Sequence, residues 1–253
     1  MNIEWQFSKD DIALVKSTIR AQCETIIVKD RQKRNLADDR PTVTANRLWE
    51  ALVCMRITTQ ARSGPGSDVS KFQRLRLSTF PLSYDTVRDQ HNRTDFISEI
   101  LQKHKAGRHR PTIAKQLSRN LEKLEQDGWR EICRQCNLLV HSVCRQTEIE
   151  VAKYLQDRLE GFGPKQARNV LQALGLTRYE IPIDSRVTHW LNEELKFSYR
   201  VRSEDLSSPI IYRLISDAIC ALCEKCGVLP CILDAAIFAS KDKDDWDAKE
   251  LVY

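Results

Sequence analysis

Lys165 and Asp184 are the two residues whose types and spacing suit covalent chemistry. A lysine in water is protonated at neutral pH and a poor nucleophile. Lys165, however, lies two positions after Gly163 at the start of a predicted helix. There the positive end of the helix dipole disfavours the ammonium form, and partial burial acts in the same direction. Asp184 follows the apolar run Ile181-Pro182-Ile183 and precedes a predicted helix over 185–195. It can cap that helix and still turn an ionised carboxylate toward a centre that becomes positive, or steer proton transfers. The nineteen positions that separate them hold one helix and a return. That is enough chain to bring both groups to one cleft.

The stretch that positions the lysine runs Leu159-Glu160-Gly161-Phe162-Gly163-Pro164-Lys165. Two glycines bracketing one residue, between two amphipathic runs, predict a helix, a tight hairpin and a second helix over 166–174. Both glycines are expected to supply positive φ. Pro164 fits an early helical position because it has no N–H to lose. The amides of Phe162, Gly163 and Lys165 are expected to stay unpaired at the start of the second helix, where orphan donors and the helix dipole together suit a phosphate oxygen. Such a clamp holds a nucleic-acid backbone and carries no base information.

The hairpin, followed in register by Ile181-Pro182-Ile183-Asp184-Ser185-Arg186-Val187, resembles the helix-hairpin-helix DNA glycosylases. A Gly-x-Gly-x-Lys turn alone, or an aspartate at a helix start alone, reads as a turn and a cap. Their conjunction in one register carries the resemblance. It implies an all-α, two-lobed fold with a helix-hairpin-helix motif. It places Asp184 on the family's catalytic aspartate and Lys165 on the Schiff-base lysine of the bifunctional branch, and sets Gly161, Phe162 and Gly163 against the DNA backbone. Monofunctional members lack a lysine at that position, so Lys165 separates two mechanisms.

The remaining sequence fits an α-helical protein. In 253 residues there are only eight glycines and eight prolines, 30% of the chain is charged, and apolar residues recur at helical spacing. The net charge of +5 is a mild excess that a DNA-facing patch would use and many unrelated proteins share. No run approaches the length of a transmembrane helix, and the N-terminus lacks the order of a signal peptide. A monomeric intracellular protein is expected, cytoplasmic or, in a eukaryote, nuclear. Nine cysteines, an odd number, are expected as free thiols. Cys133 and Cys136 read as packing on one helical face. Cys220, Cys223, Cys226 and Cys231 do not have the spacing of the iron–sulfur loop of endonuclease III-like enzymes, so no metal or cofactor is expected.

Three regions are expected: an N-terminal helix and linker (1–40) packing with the C-terminal lobe, a helical barrel lobe (41–145), and the hairpin with a C-terminal helical lobe (146–253). Ser8 opens a capping-box-like start, and the charged segment 29–40 reads as a solvated helix end and linker. A helix through Leu48, Trp49 and Leu52 ends in Thr58-Thr59-Gln60. By its similarity to the endonuclease III branch, Gln60 would enter DNA beside the vacated base position. The basic run 103–110 supplies Arg108 and Arg110 as candidate phosphate ligands. His189 and Trp190 read as packing behind Asp184, and the acidic tail with Trp246 as a surface strap.

The activity implied by the resemblance is that of a DNA repair glycosylase with AP lyase activity, acting on double-stranded DNA that holds a damaged base or an abasic site. Gly-Phe-Gly-x-Lys-x-Ala is similar to the hairpin of archaeal-type 8-oxoguanine glycosylases, which favours 8-oxoguanine, although the lysine-ended tail of some of those enzymes is absent. An oxidised pyrimidine as substrate, a monofunctional glycosylase for alkylated or mismatched bases, and a non-catalytic DNA clamp remain open.

Overall fold

The computed structural model describes residues 4–242, 244, 246–247 and 251, the side chain of Asp127 excepted. Among the described residues there are thirteen α-helices and no strand. Helix α1 (Lys9–Gln22) starts at a complete capping box, with the Ser8 and Asp11 side chains each accepting the other's amide. Helix α2 (Ile26–Asn35) replaces the expected solvated linker. Its charge obscured its inner face: Val28, Arg31 and Asn35, at i, i+3 and i+7, are all buried. Arg40, also assigned to that linker, is buried too and donates to the carbonyls of Leu139 and Leu176.

Helix α3 (Ala45–Ile57) is buried along nearly its whole length, which its apolar run requires. Then follow α4 (Asp68–Arg74), α5 (Tyr84–Arg88), α6 (Arg93–Lys103), α7 (Arg110–Lys123), α8 (Trp129–His141), α9 (Arg145–Arg158) and α10 (Pro164–Ala173). Helix α11 (Ser185–His189) is shorter than the expected 185–195, because the chain widens to a π-turn at Trp190–Glu194. Helices α12 (Pro209–Cys226) and α13 (Pro230–Lys241) complete the fold. No helix of the described residues is long and apolar enough to cross a membrane.

Two apolar clusters form, as helix-on-helix packing demands. The first gathers buried residues from Val43 to Leu176 around Trp49, whose indole N–H is satisfied by the Leu82 carbonyl at 2.9 Å. The second joins Val15 and Val28 to residues between Ile181 and Ile237. The hairpin helices α9 and α10 therefore pack with the first cluster, and the chain passes from the first cluster to the second between Leu176 and Ile181.

That junction is held by charge. Glu148 accepts the amides of Arg178, Tyr179 and Glu180 at 2.7, 2.9 and 2.7 Å. Burial pushes its carboxyl up to about 7, against the pull of those three amides. Glu180, fully buried, receives Arg168 from α10, Arg145 from α9 and Ser216 from α12. Cys133 and Cys136 lie on α8, and Cys220, Cys223 and Cys226 on α12, all as free thiols. Among the described residues no group of three His, Cys, Asp or Glu is arranged to hold a metal ion.

Candidate active site

The hairpin turns on one glycine rather than two. Gly161 has φ +83°, and a Cβ there would lie 2.5 Å from Gln116 Oε1 and 2.6 Å from Arg56 Nε. Gly163 caps α10 at φ −72° in extended backbone, with no atom within 4 Å of where its Cβ would stand. Only Gly161 needs the left-handed region and the missing side chain. Gly161→Ala is therefore expected to cost about 2 kcal/mol and lower Tm by about 4–8 °C, whereas Gly163→Ala should melt within about 2 °C of the parent. Thermal unfolding followed by circular dichroism checks both.

Phe162 anchors the turn, buried in the first cluster, and its amide reaches the Leu159 carbonyl at 3.4 Å. It is not one of the orphan donors. The amides of Gly163 and Lys165 have no acceptor among the described residues, and both glycines of the turn are exposed. The end of α3 braces the turn from behind. Arg56, buried, donates to Gln116 and to Thr59, and Thr59 Oγ1 takes Gln166 Nε2 from the first turn of α10 at 2.5 Å.

Lys165 and Asp184 line one cleft of about 480 Å³. Among the described residues the Lys165 amine makes no hydrogen bond and no ion pair. Burial pushes its pKa below the ordinary lysine range. The Arg186 charge acts in the same direction, and the Asp184 and Asp234 carboxylates oppose it. Asp184 caps α11: its Oδ1 accepts the amides of Arg186 and Val187 at 2.8 and 3.0 Å, while Oδ2 lies 3.2 Å from Arg186 Nη1. The approach to Asp184 is fixed by Tyr212 of α12, whose hydroxyl donates to the Ile181 carbonyl and accepts the Ile183 amide.

Gln60 stands at the rim of the same cleft, exposed, in left-handed backbone at φ +53° and 3.1 Å from His109 Nε2. Arg108 is exposed in the neighbouring loop. Arg110 is turned back on that loop, with Nη2 3.2 Å from the Lys105 carbonyl. His189 points outward and is exposed, so of the pair behind Asp184 only Trp190 packs. Trp246 is not a surface strap residue: it lines the cleft and meets Phe238 edge-on at 5.5 Å. The other face of the site is closed by Arg186, stacked on Phe238 at 4.1 Å.

Sequence reasoning missed the floor. Arg31 of α2, Gln172 of α10 and Asp234 of α13 meet there. Two signals were present: Lys165, Asn169 and Gln172 follow i, i+4, i+7 on one helical face, and Asp234 is a lone acid in an apolar helix.

No family model and no curated protein matches the chain. Its all-α architecture, with the hairpin helices packed in the first of two helical clusters, is the helix-hairpin-helix glycosylase fold. It resembles the solved structure of the 8-oxoguanine DNA glycosylase of Thermotoga maritima, with a TM-score of 0.64 and 13% sequence identity, covering 93% of this chain and 100% of that one.

Proposed function

We propose that the protein is a DNA base-excision glycosylase with AP lyase activity, in which Lys165 is the nucleophile and Asp184 stabilises positive charge at the sugar. The observation that carries this reading is the lysine itself: half-buried, unpaired among the described residues, shifted toward its neutral form, at the head of the second hairpin helix and in one cleft with an ionisable aspartate. The damaged nucleotide leaves the stack and enters the cleft. Lys165 Nζ attacks C1′ as the base departs with the glycosidic electrons, and Asp184 faces the charge that develops on the sugar. Opening of the sugar ring gives an imine. Loss of a C2′ proton then expels the 3′-phosphate, and hydrolysis returns the lysine.

The fold shared with an 8-oxoguanine DNA glycosylase supports 8-oxoguanine as the substrate. Duplexes bearing 8-oxoguanine, an oxidised pyrimidine, an alkylated purine or an abasic site, scored for base release with and without alkali, test the reading. Release with nicking in the absence of alkali is expected. Release that requires alkali would mean a monofunctional enzyme, and binding without release a clamp.

DNA is gripped by the free amides of the hairpin, with Gln60 at the rim and Arg108 beside it. Arg108→Ala is expected to weaken binding to every duplex alike and to reduce the slope of log K against log salt by about 1, the effect of losing one phosphate contact. Arg110→Ala should change it less, because that guanidinium already serves the Lys105 carbonyl. Titrations at several salt concentrations measure both.

A further inference from the structure

The rim of the cleft is spanned by the protein's own carboxylates. After α13 the chain turns back on itself: Asp242 Oδ1 accepts the Asp244 amide at 3.0 Å, and Asp242 Oδ2 lies 3.3 Å from Arg186 Nη2. Asp244 Oδ1 in turn accepts Arg62 Nη2 at 2.6 Å. Both arginines line the cleft, Arg62 from the loop that follows α3 and Arg186 from beside Asp184. The tail thus ties the two sides of the cleft together through their cations. Segment 242–247 carries four aspartates in six positions. A nucleic-acid backbone brought to this rim meets like charge and finds two guanidinium groups already taken.

The loop leaves room for the contact. Gly64 is buried, and a Cβ there would lie 2.1 Å from Asp244 Oδ2 and 3.3 Å from Asp244 Cγ. The contact is also easily undone. The Arg62 side chain is 67% exposed, so water and salt compete for it. The indole N–H of Trp246 is buried at the cleft and has no acceptor among the described residues, a cost that the docked tail carries.

Resting on the glycosylase reading, we propose that the acidic tail is an autoinhibitory competitor of DNA: Asp244, set in place by Asp242, holds on Arg62 the position of a backbone phosphate, and the tail leaves the rim when a duplex binds. The guanidinium exchanges one oxyanion for another, so the tail lowers affinity for every duplex alike and has no part in the choice of base.

Two full-length variants undo the contact by different means. Asp244→Asn removes the charge. Gly64→Ala keeps every charge and displaces the carboxylate by direct contact; Gly64 lies outside the left-handed region, so the strain falls on the Asp244 side chain. Binding is measured at several salt concentrations with a duplex carrying a reduced abasic site, which has no aldehyde for Lys165 to capture. Both variants should bind it about 2- to 5-fold more tightly than the parent at low salt, the range of one exposed ion pair, and the gain should fade as salt rises. In an Arg62→Ala background neither change should add affinity, because the cation for which tail and DNA compete is gone. A gain in Asp244→Asn that persists in Arg62→Ala and is missing from Gly64→Ala is the general effect of one negative charge fewer, and overturns the proposal. Unchanged or weaker binding in both variants overturns it too, since the tail would then stay in place over bound DNA. If the parent forms a borohydride-trapped adduct at a true abasic site while the variants bind no more tightly, autoinhibition alone fails. If parent and variants neither bind the duplex nor trap, the glycosylase reading fails, and this inference with it.

Discussion

Lys165→Gln is expected to eliminate the borohydride-trapped protein–DNA adduct and to reduce base release by about 10³-fold or more, since the amide that replaces the amine has no nucleophilic lone pair. The same position is expected to be stabilised by losing its charge. Burial holds the folded-state pKa of Lys165 below its unfolded value, so the unfolded chain binds that proton more tightly. The lysine therefore subtracts stability at neutral pH, and the penalty fades as pH rises through the folded pKa toward the ordinary lysine value. Lys165→Met should melt above the parent at pH 7, and the two melting curves should converge at alkaline pH. A stability cost at a site where catalysis needs the group is the usual trade between the two. An adduct that survives in Lys165→Gln would show that another amine is the nucleophile.

Glu180→Ala is expected to lower stability by about 3–5 kcal/mol, the cost of breaking a buried ion pair and leaving its cation behind. For a chain of this size that corresponds to a fall in Tm of about 6–20 °C. Arg168 is 6% exposed, its Nη2 is 2.5 Å and its Nε 2.7 Å from Glu180 Oε2, and it packs over the Tyr212 ring. Removing the carboxylate leaves that guanidinium with the Pro164 carbonyl as its one polar partner among the described residues. The double variant Glu180→Leu with Arg168→Met should lose less than Glu180→Ala alone, because no unpaired charge remains. Activity should fall together with stability. Arg168 belongs to the helix that starts at Lys165, and Glu180 to the segment that ends at Asp184, so the pair fixes the two groups relative to one another. Chemical denaturation and single-turnover base release, run on the same variants, check both effects.

Much of this arrangement is legible in the residues. Gly161, Pro164 and Lys165 define a turn and a helix start within a few positions, and Asp184 declares a helix cap through its immediate neighbours. These are local effects, governed by φ preferences, missing donors and capping geometry, so spacing suffices to read them. Gly163 was misread because a second glycine beside a turn suggests positive φ, while its backbone is extended. Segment 29–40 was misread because composition alone says solvated, although Arg31, Asn35 and Arg40 are buried against carbonyls and a carboxylate supplied by distant parts of the chain.

The sequence by itself determined the helical class, the hairpin and the separation of lysine from aspartate by one helix and a return. Tertiary structure alone decided what surrounds them. Arg31 and Asp234 are 203 positions apart and Gln172 and Asp234 are 62 apart, and although Gln172 shares a helical face with Lys165 and Asp234 is a lone acid in its helix, neither pattern names the partner it meets. A buried charge becomes tolerable only when packing delivers its partner. The floor of the cleft is therefore written in contacts between helices and not in the order of residues along any of them.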